Sequence, residues 1–159
     1  MSHVPVSETG LPAHSALWRH IAPGDFVDCF AVQSDTPPRR AAEIITQFPG
    51  WAQGLVALRR IVTTPFGLSQ DGPKAADKIG PFPVTHDTPD EIIAGFNDRH
   101  LDFRVAVLRQ DGQVFLATWV HRHNIGGRLY LRLIMPFHRL IVRNALARVY
   151  RADALTPAD

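Results

Sequence analysis

Cysteine is almost absent: Cys29 stands alone in 159 residues. That excludes an intrachain disulfide and a cysteine-built zinc cage, and it fits a reducing cytoplasm. Its setting, Phe26-Val27-Asp28-Cys29-Phe30-Ala31-Val32, is strand-like, so the thiol reads as a small buried hydrophobe rather than a nucleophile. Long apolar runs are missing too. Arginines interrupt the apolar C-terminal region before it reaches the roughly 20 residues that span a bilayer. Met1 to Gly24 has no continuous apolar stretch like that of a secretory signal. No membrane span and no export are expected. No Gly-x-Gly-x-x-Gly fingerprint opens a helix, so dinucleotide binding by that route is excluded and no cofactor is expected. Neither a Walker motif nor a Gly-x-Ser-x-Gly elbow occurs.

What is present describes one globular domain. Hydrophobic residues make up 45% and charged residues 20%, enough apolar content for a core. The formal net charge is +2, and much of the positive charge is arginine between Arg122 and Arg151. Such a cluster suits phosphate, nucleic acid or an anionic membrane, but a solvated helix face explains it equally. No recognised RNA-binding motif accompanies it, and nucleic acid is not expected as a partner.

Asp25 to Gln33 reads as a strand. Thr36-Pro37-Pro38 then opens a helix with Thr36 as cap and Ala41, Ile44, Ile45 and Phe48 as its apolar stripe, stopped by Pro49-Gly50. A second helix is predicted from Trp51 to Val62, followed by a loop from Thr63 to Lys78. Thr88-Pro89-Asp90-Glu91 matches a helix capping box, yet the residues after it suit a strand. A two-residue turn at Asp98-Arg99 opposes Phe96 to Leu101, Ala94 to Phe103 and Ile92 to Val105. Asp111-Gly112, a strong hairpin signal, opposes Val107 to Leu116, Val105 to Thr118 and Phe103 to Val120. A third turn at Asn124 to Gly127 opposes Val120 to Leu131, Thr118 to Leu133 and Leu116 to Met135. These turns keep one face apolar and gather His100, Asp102, Arg104, Trp119, His121, His123, Tyr130 and Arg132 on the other. The last helix is expected from Pro136 to Arg151.

This order of elements is α+β and resembles the helix-grip fold of START and Bet v 1-like proteins: a curved antiparallel sheet wrapped around a long C-terminal helix, with two short helices after the first strand. Four stretches resemble the bacterial domain of unknown function 2867. They are Ile79-Gly80-Pro81-Phe82-Pro83-Val84, Asp98-Arg99-His100-Leu101-Asp102-Phe103-Arg104, His123-Asn124 with Gly127-Arg128-Leu129-Tyr130, and Pro136-Phe137-His138-Arg139-Leu140-Ile141-Val142. The resemblance implies a START-like fold, and relatives in which the domain is joined to an oxidoreductase-like domain imply an oxidoreductase-like partner. It implies no catalytic residues. The domain is expected at 25–152, with an N-terminal extension at 1–24 and a tail at 153–159.

Three readings of function stand. In the first, a small apolar or amphipathic ligand lies between sheet and helix, lined by Phe103, Val105, Thr118, Val120, Leu131, Leu133 and Phe137. In the second, Arg104, Trp119 and Arg132 dock a protein partner. In the third, an enzyme uses Asp102 to orient His121 with Tyr130 as donor, or a metal on His100, His121 and His123. His138 reads as a structural histidine beside Val142, Leu146 and Val149.

Overall fold

The computed structural model describes residues 4–47, 75–80, 82–97 and 101–156. Along the chain it holds β1 (Ser7–Glu8), a single 3-10 turn (Ala16–Arg19), β2 (Phe26–Gln33), α1 (Pro38–Ile45), β3 (Lys78–Ile79), β4 (Phe82–Asp87), β5 (Glu91–Asn97), β6 (Leu101–Gln110), β7 (Gln113–Arg122) and α2 (Ile125–Ala154). The strands form one curved antiparallel sheet in the order β1-β2-β7-β6-β5-β4-β3. The fold is α+β and helix-grip-like, with α1 and α2 on one face. The predicted helix from Trp51 to Val62, Phe48 with its Pro49-Gly50 stop, most of the loop that follows and the turn residues Asp98-Arg99 lie outside the described residues.

The β6–β7 hairpin follows its turn chemistry. Asp111 and Gly112 take φ of 51° and 72°, the pair of positive values that a two-residue turn of the right twist needs. Val107 then faces Leu116, Val105 faces Thr118 and Phe103 faces Val120, as predicted. The β5–β6 pair slips by two residues from the predicted register: Phe96 faces Phe103, Ala94 faces Val105 and Ile92 faces Val107. A slip of two keeps every side chain on its own face. It also sets the Phe96 and Phe103 rings edge to face at 4.7 Å, with Phe82 against Phe103 at 5.4 Å. In this register Gly95 has no substitute, because a Cβ there would fall 2.2 Å from the Phe103 carbonyl oxygen.

The capping box at Thr88 is half formed. The Glu91 amide donates to Thr88 Oγ1 at 3.1 Å, but the chain continues as β5 and the Glu91 carboxylate goes elsewhere. It accepts from Ser15 Oγ and, at 2.8 Å, from the Ala16 amide. This pins the 3-10 turn across the sheet face opposite the helices, where Leu17 is fully buried against Cys29, Ala31, Ile93, Ala106, Leu108 and Phe115. Thr36 does not cap α1; it bonds to Ser34, and Pro37 occupies the cap position.

The third predicted hairpin is replaced by helix. Residues Ile125–Ala154 form one continuous helix, so Leu131, Leu133 and Met135 pair with no strand. The alternation of Leu129, Leu131, Leu133 and Met135 imitates a strand, but Leu131, Met135, His138, Val142, Ala145 and Val149 also follow helical spacing. Asn124 decides where the helix starts, because its side chain accepts from the Gly127 amide at 3.0 Å. Pro136 therefore sits inside the helix rather than at its first turn. Farther on, Arg148 donates to the carbonyls of Ile44, Ile45 and Gln47, closing the C-terminal end of α1 against α2.

Replacing Pro136 by alanine should raise the urea unfolding free energy by about 2–2.6 kcal/mol, the roughly 3 kcal/mol interior penalty of proline less the roughly 0.4–1 kcal/mol of entropy it removes from the unfolded chain. A helix that began at Pro136 would give an unchanged or lower value.

Candidate functional site

The sheet face under α2 is built from alternate residues of four strands. Phe26, Asp28, Phe30 and Val32 on β2 lie beside Leu116, Thr118 and Val120 on β7; Phe103, Val105 and Val107 on β6 come next, then Ile92 and Ala94 on β5. Asp28 and Thr118 are register partners and interrupt an otherwise apolar wall. From α2, His138 Nε2 lies 3.0 Å from Asp28 Oδ2. The Asp28 side chain is 8% exposed and that of His138 19%. Asp28 Oδ1 is buried with no hydrogen-bond partner among the described residues. Buried carboxylate oxygens are normally paired, so this one has unused capacity to accept a donor.

Between wall and helix lies a cleft of two lobes. One, about 170 Å³, is bounded by Ile45, Ile79, Ile92, Leu116 and Val142 among others; the second, about 210 Å³, by Phe26, Leu101, Phe103, Val120, Tyr130 and Leu131 among others. Phe82, Val105, Thr118 and His138 border both, so Thr118 and His138 sit where the lobes meet, whereas Asp28 borders neither. Ala42, Ala94 and Ala145 also line the first lobe, and their short side chains leave space that larger ones would fill.

Five of the seven lining residues expected from sequence border this cleft: Phe103, Val105, Thr118, Val120 and Leu131. Leu133 and Phe137 are 66% and 47% exposed on the outer side of α2, because a helix turns residues two apart to nearly opposite sides. Sequence reasoning missed Asp28 and the partner of His138. The available signal was an acid at an inward position of Phe26-Asp28-Phe30-Val32, together with a histidine one helical turn before Val142.

The polar residues expected to cluster are divided. Asp102 and His121 are register partners, but their side chains choose other groups. His121 Nδ1 lies 2.6 Å from Asp25 Oδ1, and His123 Nε2 lies 2.9 Å from Asp102 Oδ1. Tyr130 is on α2, beside the second lobe and across the sheet from both pairs. His121 and His123 stand edge to face at 5.2 Å, yet among the described residues no three His, Cys, Asp or Glu gather as a metal ion needs. His100 lies outside the described residues. Trp119, 6% exposed, is covered by the N-terminal segment and donates to Asp25 Oδ2 at 2.9 Å. Arg104 is partly buried, with Nη1 2.7 Å from the Phe103 carbonyl, and Arg132 is exposed on α2. These three residues share no common surface.

The model of a protein family of unknown function, DUF2867, matches residues 21–145. The chain belongs to that family. No curated protein and no solved structure matches it. The stretch shared with DUF2867 contains Asp25, Asp28, Thr118, His121 and His138, whereas Ser15 and Leu17 precede it.

On the far face of this DUF2867 sheet His20, Asp25, Cys29 and Arg104 carry shifted pKa values. Burial and the neighbouring Arg104 and Arg19 lower His20, which packs on Trp119 at 5.3 Å. Burial alone would raise Asp25, but hydrogen bonds from His121, the Ala22 amide and Trp119 outweigh it and hold the carboxyl below its ordinary 3.8. Burial, aided by the Asp28 carboxylate, pushes the Cys29 thiol up to about 12, leaving it protonated and unreactive. Because Asp25 is lowered on folding, its contribution to stability is present above the ordinary carboxyl range and is lost as pH falls through the folded value. The Asp25→Asn variant should therefore show a shallower loss of urea midpoint from pH 4 downward than the parent; parallel curves would contradict that role.

Proposed function

We propose that residues 25–152 bind a small amphipathic molecule in the cytoplasm, holding its apolar body between sheet and α2 and its polar end at Thr118 and His138. The observation that carries this reading is a two-lobed apolar cleft with Thr118 and His138 bordering both lobes, His138 being paired with the buried Asp28. A dry cavity of about 150 Å³ is enough to hold benzene, so each lobe fits a small ring or short chain and the two together take a longer body. The Thr118 hydroxyl and the His138 imidazole are polar groups on the lining, which favours a ligand carrying a hydroxyl or another hydrogen-bonding group over a pure hydrocarbon.

A thermal-shift series of aryl and medium-chain alcohols, set against hydrocarbons of equal size, tests the reading. At a hundredfold excess over Kd the expected stabilisation is about 2.7 kcal/mol, or roughly 5–10 °C for a chain of this length. The alcohols should exceed the hydrocarbons, Thr118→Val should reduce the difference, and Val105→Trp should obstruct the junction of the lobes and weaken the shifts while far-UV circular dichroism stays native. Absence of any saturable shift in the parent protein would sink the proposal.

A further inference from the structure

The side of α2 turned away from the sheet carries Ile125, Leu129, Leu133, Phe137 and Leu140, each between 47% and 73% exposed. Steps of four, four, four and three residues set them in one stripe about 22 Å long. Pro136 is exposed on the same side. Among the described residues packing does not use this side, because the sheet and α1 meet α2 through Leu131, Val142, Ala145, Leu146 and Val149.

Along one flank of the stripe stand Arg128, Arg132 and Arg139, all exposed. None of them forms an ion pair among the described residues. Between Ile125 and Ala152 the helix has no acidic residue at all. Arg143 serves the fold instead, donating to the Val6 carbonyl and lying over the Phe30 ring.

We infer that this outer face of α2 binds the surface of an anionic phospholipid membrane, with the stripe from Ile125 to Leu140 in the acyl boundary and the arginines on the lipid phosphates. A strongly apolar face beside a purely cationic flank is the pattern of an interfacial helix. Arginine stems also add apolar area while their heads reach the phosphates. A second copy of the chain is a poorer occupant, since pairing two such faces brings unpaired arginines together and supplies no acid to meet them. The helix lies on the membrane rather than through it: no helix among the described residues is long and apolar enough to cross. This face is opposite the ligand cleft, so the inference stands apart from the proposed ligand.

The test is co-sedimentation of the full chain with vesicles of phosphatidylcholine containing about one-third phosphatidylglycerol, against phosphatidylcholine alone, at about 0.1 M salt. Each arginine at an anionic surface contributes about fivefold in affinity. Arg128→Gln, Arg132→Gln and Arg139→Gln together should therefore weaken binding on the order of a hundredfold, and Leu133→Glu by at least about tenfold. Phe137→Trp should shift its emission to the blue only with the anionic vesicles. The inference is overturned if the parent protein ignores anionic vesicles, or if it binds neutral ones equally well. It is equally overturned if Leu133→Glu separates a dimer in sedimentation velocity, or lowers the unfolding temperature as it would if the chain's own residues covered the stripe.

Discussion

Strand β7 buries seven residues in succession, Val114 to Val120, and a strand buried on both faces obliges the protein to supply a layer on each side. The helices form one layer. The other comes from the N-terminal segment, which has little regular structure of its own and is held by polar contacts to carboxylates. Glu91 receives Ser15 and the Ala16 amide, while Asp25 receives Trp119, His121 and the Ala22 amide. Both carboxylates are nearly inaccessible, at 5% and 3% side-chain exposure. Buried acids of this kind are tolerated because their hydrogen bonds are met, and they convert a loose chain into a fitted cover.

That second layer also shows where sequence reading ends. The parity of the central strands was legible, because Asp111-Gly112 fixes a turn and alternation then propagates from it. The face opposite the helices read as polar because His121, Asp102 and Arg104 drew attention to its open end. Its middle is Cys29, Ala31, Ala106, Ala117 and Leu108, small or apolar residues that let a covering segment approach closely. The stretch after Asn124 failed for another reason. From Leu129 to Met135 alternation and helical spacing coexist, and only a side-chain bond across the first helical turn separates them. A half-made capping box at Thr88 was correctly read as strand, since hairpin complementarity outweighed a local signal.

The polar chemistry follows from those two facts. Once residues 125–135 become helix, Tyr130 leaves the sheet for the edge of the cleft, while His121 on β7 and His123 just beyond it pair with Asp25 and Asp102. The acid that pairs with His138, Asp28, was hidden inside a run read as a strand. Its partner His138 is reachable only because α2 crosses the sheet at that height. A three-dimensional pair separated by 110 residues leaves no spacing for a motif to reveal. Helix α2 thus serves as wall, as source of the imidazole and as an outward apolar edge, three roles on three sides of one element.

The pairing of β2 with β7 has a consequence for biosynthesis. The hairpins from β4 to β7 join neighbours in sequence, but Phe26 must wait for Val120 and Gln33 for Gln113. At about 5–20 residues per second, β2 passes several seconds on the ribosome without its long neighbour. During that interval Phe30 and Val32, which end fully enclosed, face water. Shortening that exposure depends on the speed of translation rather than on any contact in the finished fold.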